Sequence, residues 1–273
     1  MIDTVALDPT RHVPGTREHS RFADTLRAEW IKFWTVRSTG WATAMLFVLG
    51  AGLTVLVCAT NAEWLASSEA DEHPGSFITF GMTFAQITAI VLGTLAVTSE
   101  YGTGMIRATL AATPRRGAVL AAKAVVLAGT LFVAGTVTAV AGYLGGNFFL
   151  DREGIGLALS DDGVLRSLVG SGLYMAGLGL LAAAVGLLVR HTAAALSIVL
   201  ALVFVVGTMV VLLPGAWGEW ASKLMPGNAG ASIATPVSFN PNLFEPWVGF
   251  AVFCGEAAVV LLAGYLSFRR RDA

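Results

Sequence analysis

The segment Ser99–Lys123, "SEYGTGMIRATLAATPRRGAVLAAK", interrupts two long apolar runs with Glu100, Arg107, Arg115, Arg116 and Lys123, and is punctuated by Gly102, Gly104 and Pro114. Upstream of it Phe77–Thr98 is almost wholly apolar, and downstream so is Ala118–Leu144. Further runs of the same kind occupy Trp41–Thr60, Ser167–Val189, Thr192–Leu213 and Trp247–Phe268. About 20 residues at about 1.5 Å each cross a hydrocarbon core of about 30 Å, so every run is long enough to span a bilayer. In lipid only helices and closed barrels satisfy their own backbone, and runs that are continuous rather than alternating select helices. The expected fold is therefore all-α and integral to a membrane, with six transmembrane helices over residues 41–268. Composition agrees: 55% of the 273 residues are hydrophobic and 13% charged, where soluble domains carry about 25% charge.

Charge distribution gives the orientation. With the N-terminus inside, the inner segments hold Arg11, Arg17, Arg21, Arg27, Lys32, Arg37, Arg107, Arg115, Arg116, Lys123, Arg190, Arg269, Arg270 and Arg271. The outer loops hold only Arg152, Arg166 and Lys223, while Glu63, Glu69, Asp71, Glu72, Asp151, Glu153, Asp161 and Asp162 gather there. This positive-inside bias predicts a multi-pass protein of the cytoplasmic membrane with both termini inside. Residues 99–117 are then a cytoplasmic loop. Residues 1–20 have neither the basic stub nor the apolar core of a signal peptide and read as a disordered polar tail. Cys58 and Cys254 fall inside spans and read as packing residues.

Residues 21–38 have helical periodicity. Phe22, Leu26, Trp30, Phe33 and Trp34 share one side, and Asp24, Thr25, Ala28, Lys32 and Thr35 the other. This pattern predicts an amphipathic helix in the inner interface, with tryptophan at headgroup depth and basic residues toward anionic lipid. Glu29 sits at the edge of the apolar arc, out of place on a face bound only by lipid. The helix either simply anchors the chain or also touches a partner or the next cytoplasmic loop.

In the second span Gly81, Ala85, Ala89 and Gly93 recur every four residues, a spacing that lets another helix approach closely. The fourth span carries Gly172, Ala176, Gly179, Ala183 and Gly186. Beside the first stripe run Thr79, Thr83, Gln86 and Thr94, which either line a path or bond locally between helices. Glu256 lies near the middle of the sixth span, where a charged carboxylate costs about 2.5–3.5 kcal/mol. It is either protonated or borders water, and either functional or a neutral interhelical acid. The outer segment 214–246 is too long for a turn. Its prolines and the face formed by Trp217, Trp220 and Leu224 predict a short interfacial helix near 215–225, then a re-entrant stretch that would act as a lid.

Within the loop, a short helix is expected at Met105–Ala112, released by Gly102 and Gly104 and stopped at Thr113, which precedes Pro114. Glu100 is expected to stabilise it from its positive N-terminal end. The loop's arginines alone are equally consistent with a topology signal.

Three stretches, "AEWIKFWTVRST" before the first span, "SEYGTGMIRATLAATPRR" between the second and third, and "PGNAG" after the fifth, resemble ABC-2-type transporter permeases, the membrane subunits of actinobacterial-like ABC exporters. The resemblance covers most of the chain from Leu26. It implies a coupling helix that docks on an ATPase, carried here by Glu100, Tyr101, Gly104, Ile106, Arg107, Leu110, Pro114, Arg115 and Arg116. It also implies a connecting helix with Glu29, Trp30 and Lys32, and an outer gate at Pro226, Asn228 and Gly230. Thr83, Gln86 and Glu256 are the possible pathway residues. The implied partners are two copies of an ABC ATPase subunit, a second permease subunit (self or sister chain) and the lipid bilayer, with no nucleic acid. The implied substrate is an amphipathic drug, peptide or lipid.

The sequence has no G-x-x-x-x-G-K-[ST] phosphate loop, so ATP and Mg are expected on the partner, with no cofactor in this chain. His12, His19, His73 and His191 lie outside the spans or at their edges, so neither a metal site nor a catalytic residue is expected at depth. The alternatives are a proton-coupled secondary transporter using Glu256 and a non-transporting membrane anchor.

Overall fold

An apolar segment withdrawn from water can pair its peptide groups only with one another, and that demand shapes this chain. The structure, a computed structural model, describes residues 22–112, 115–210, 212–240 and 242–270, with the side chains of Arg107, Leu110, Ala112 and Arg270 left out. The 1–20 tail expected from the sequence lies outside the described residues.

The helices are α1 (Phe22–Thr35), α2 (Arg37–Ala66), α3 (Met82–Gly102), α4 (Met105–Ala112), α5 (Arg116–Arg152) and α6 (Val164–Val189). They continue with α7 (Thr192–Val210), α8 (Gly215–Lys223), α9 (Pro226–Ala231) and α10 (Pro246–Arg270). No strand occurs among the described residues. Six helices, α2, α3, α5, α6, α7 and α10, are long and apolar enough to cross a membrane.

Several bounds differ from the apolar runs. α3 starts at Met82 because turns occupy the residues after the short Pro74–Ser76 helix, and it continues through Gly102. α5 has 37 residues, about 55 Å at the helical rise, so it outreaches any hydrocarbon core. α2 and α7 each contain a π-helical stretch, Val48–Gly52 and Ala201–Val206.

α6 is the central post, packed by α3, α5, α7 and α10. In its most apolar stretch 72% of residues are buried, against 22% in α7 and in α10, which turn most of their surface outward. Backbones meet where side chains vanish: a Cβ on Gly93 of α3 would land on the Gly179 carbonyl of α6. Such contact lets dispersion act between main chains without a hydrophobic force. α6 ends at Arg190, whose positive φ of 57° turns the chain at once into α7. The His191 Nδ1 then accepts from the Ala194 N–H and caps that helix.

At the end of the bundle remote from α4, α9 packs back among the helices. Gly230 abuts the rings of Tyr174 and Phe253. Tyr174 lies ten residues into α6, about 15 Å along it. Arg166 holds this segment by donating to the carbonyls of Ser232 (3.3 Å), Ile233 (3.5 Å) and Pro236 (3.1 Å).

Candidate functional site

α1 packs lengthwise on α5. Phe22, Trp30 and Trp34 are exposed, whereas Thr25 and Glu29 are buried against the bundle. Trp30 stacks at a tilt with Trp34, centroids 5.9 Å apart. The flank of the aromatic face that carries Thr25 and Glu29 thus faces protein, while Asp24, Ala28 and Thr35 stay exposed, and Lys32 does not reach outward toward lipid as the sequence suggested.

There four charges interlock. Lys32 Nζ lies 2.8 Å from Glu29 Oε1 and 2.6 Å from Glu100 Oε1, and Lys123 Nζ lies 2.7 Å from Glu29 Oε2 and 2.9 Å from Glu100 Oε1. The acid side chains are 6% and 4% exposed and those of Lys123 and Lys32 12% and 27%, so water screens the cluster little. Two acids and two lysines cancel, which is what makes burial tolerable. Burial of Lys32 works against its charge, but the hydrogen bonds and charges of Glu100 and Glu29 outweigh it and hold its pKa above the ordinary lysine value. Glu100, expected from the sequence to favour the N-terminus of α4, belongs to the last turns of α3, where its Oε1 meets both lysines and its buried Oε2 has no hydrogen-bond partner among the described residues. The sequence places Lys123 only among the inner basic residues and gives no sign of its partners.

α4 hangs from this cluster. Gly104, with a φ of 71°, makes the joint after α3. Ile106 is buried, in a small gap lined by Val97, Val119, Leu187 and Phe268, while Met105 is exposed. The Arg190 guanidinium sits 5.0 Å from the Tyr101 ring centroid. Arg115 is exposed, and Arg116 Nη1 donates to the Phe268 carbonyl at 3.1 Å, tying α5 to α10. Arg107 and Leu110 lie on α4 with side chains outside the described residues, and Pro114 is itself outside them.

A second feature lies near α9. Thr83, Gln86 and Asn228 line one cavity of about 210 Å³ with Thr79, Tyr174 and Thr208, so two of the expected pathway residues meet one of the expected gate residues there. Tyr174 donates to Gln86 Oε1 at 2.6 Å and Gln86 Nε2 donates to the Thr83 carbonyl at 2.8 Å. Asn228 Nδ2 donates to the Ser222 carbonyl (3.0 Å) and to Ser222 Oγ (3.2 Å), pinning α8 to α9. Pro226 and Gly230 are buried and shape the turn into the bundle without lining the cavity. Glu256 is also apart from it: half-buried on α10, its Oε2 has no hydrogen-bond partner among the described residues. No cluster of three or more His, Cys, Asp and Glu suited to a metal occurs among the described residues.

No protein-family model matches the chain, and a search of curated proteins found no match.

Proposed function

We propose that this chain is the permease subunit of an ATP-driven ABC-2-type exporter in a bacterial cytoplasmic membrane. It pairs with itself or a sister chain and binds two copies of a separate ATPase, which carries ATP and Mg. The observation that supports this reading best is the ion cluster that joins Glu29 and Lys32 of α1, Glu100 of α3 and Lys123 of α5 just above α4.

A permease without a phosphate loop must receive work through a lever. α4 is that lever, docking on the ATPase with Met105, Arg107 and the Arg115 that follows it. Force on α4 passes through Gly104 to α3 and, through the ions, to α1 and α5 together. α3 cannot slide freely on α6, because their backbones touch at Gly93 and Gly179, and close-packed contacts transmit displacement instead of absorbing it. The cavity beside α9 lies along the same two helices, so nucleotide-driven closure reshapes it and moves an amphipathic substrate by alternating access. In this reading both termini are cytoplasmic, α1 lies in the inner interface with its aromatic residues in lipid, and Pro226, Asn228 and Gly230 belong to an outer re-entrant gate.

The test is affinity purification from native membranes in mild detergent, comparing wild type with Arg107→Glu/Arg115→Glu by mass spectrometry. A phosphate-loop ATPase retained by the wild type and lost from a folded variant supports the proposal. One observation favours a second reading, a proton-coupled transporter: the Glu256 oxygen without a partner. That reading requires transport to follow a proton gradient and to survive the loop substitutions.

A further inference from the structure

The cavity between α3, α6, α7 and α9 has a chemistry that selects its ligand. Its lining mixes Thr79, Thr83, Gln86, Tyr174, Thr208, Asn228 and Thr235 with the apolar Met82, Val203, Phe204, Ala231 and Ala234, and no lining residue carries a charge at neutral pH. A charged ligand there would lose hydration with no counter-ion to replace it.

The hydrogen-bond inventory narrows the choice further. Tyr174 spends its proton on Gln86 Oε1, Thr208 on the Phe204 carbonyl at 2.6 Å, and Thr235 on the Ala231 carbonyl at 3.4 Å. Both protons of Asn228 Nδ2 go to Ser222 and, at 3.4 Å, the Gly207 carbonyl. What the lining still offers is mainly acceptor capacity, from the Asn228 Oδ1, the second lone pair of Gln86 Oε1 and the oxygens of Tyr174, Thr208 and Thr235, with donors left in the second Gln86 Nε2 proton and the hydroxyls of Thr79 and Thr83. Thr79 adds an independent sign. It is 2% exposed, yet its hydroxyl has no hydrogen-bond partner, and leaving such a group unpaired is costly. The wall supplied by Val203 and Phe204 falls in the π-helical stretch of α7, a distortion that recurs at functional sites.

Volume sets the size. About 210 Å³ is less than a drug-sized site of roughly 300–1,000 Å³, so it admits a head and not a whole amphiphile. The tail has apolar surface to lie against on the same two helices, because Val205 and Val206 of α7 and Phe84 of α3 are exposed.

We infer that this cavity binds the neutral hydrogen-bonding head, hydroxyl or amide, of an acylated amphiphile whose tail remains outside against α3 and α7. The inference rests on the proposed export function only in calling that amphiphile a substrate; the binding itself needs neither nucleotide nor an ATPase.

The test uses the purified full chain in nanodiscs, without nucleotide or any partner. A monoacylglycerol with a diazirine beside its glycerol head is photolysed, and the adducts are mapped by mass spectrometry. Phosphatidate and alkylammonium probes with matched diazirines serve as charged comparisons. The expected result is neutral-probe labelling of peptides containing Thr79–Gln86 or Val203–Thr208, well above either charged probe. Thr79→Val should cut it about threefold to tenfold, the worth of one hydrogen bond, without lowering the unfolding temperature, because the lost hydroxyl has no partner. Ala231→Leu, which fills the cavity, should abolish it. Equal labelling by the charged probes, or labelling unchanged in both variants, overturns the inference. Failure to copurify an ATPase would count against the export proposal alone and leave this result standing.

Discussion

Lys123, near the start of α5, lies 2.9 Å from Glu100, near the end of α3, and 2.7 Å from Glu29 on α1. One ammonium therefore joins three helices, and Lys32 closes the cluster from the other side. Removing a single partner leaves an uncompensated buried charge. Lys123→Met is expected to cost about 3–5 kcal/mol, read as a fall in the unfolding temperature in detergent. Adding Glu100→Gln rebalances the cluster and should recover much of the loss. An unchanged unfolding temperature in the single variant would mean that the cluster is not formed.

The same cluster sets a direction for pH. Lys32 has its pKa raised in the folded protein, above the unfolded value of about 10.4. Its contribution is therefore fully present below about pH 10.4 and is lost as pH rises through the higher folded value. Between pH 8 and 10 the difference in stability between wild type and Lys32→Met should stay constant, and it should shrink only above that range. A difference that already shrinks near pH 8 would contradict the pairing with Glu29 and Glu100.

Close approach of α3 and α6 predicts a contrast between two glycines. Gly93→Ala puts a methyl group onto the Gly179 carbonyl and should destabilise by about 1–3 kcal/mol. Gly129→Ala, on α5 with open space around it, should leave stability unchanged or raise it by at most about 1 kcal/mol. Paired thermal melts decide between this packing and a loose one.

Arg166 predicts a local effect at the other end of the bundle. Its three carbonyl contacts hold the segment after α9, and hydrogen bonds from a charged donor contribute about 1.5–3 kcal/mol. In Arg166→Gln, amide exchange over residues 226–236 should speed up by about tenfold or more while exchange in α3 stays as it was. Uniform change across both would indicate a global loss of stability instead.

The six long helices were legible because burial in lipid demands continuous apolar runs, and α4 because Gly104 and Pro114 bracket it. Helix ends were less so. Glu100 and Tyr101 belong to α3, since polar residues can continue a helix once it leaves the apolar layer. The ion cluster was only half legible. Glu29 on the edge of an apolar arc signalled a contact other than lipid, but Lys123 is 94 residues away, and only packing of α1 on α5 brings the two together. The meeting of Gln86 with Tyr174 and of both with Asn228 is tertiary in the same sense. No periodicity marks the π-helical stretches of α2 and α7, which lack proline.

Docking of α4 on an ATPase is open to site-specific photo-crosslinking. A benzophenone amino acid is placed at Arg107, or separately at Arg115, the native membranes are irradiated, and the crosslinked chain is identified by mass spectrometry. A covalent adduct with a phosphate-loop ATPase is expected from these positions and none from Trp217 on α8. Adducts with lipid alone, or the same ATPase captured equally from Trp217, would contradict it.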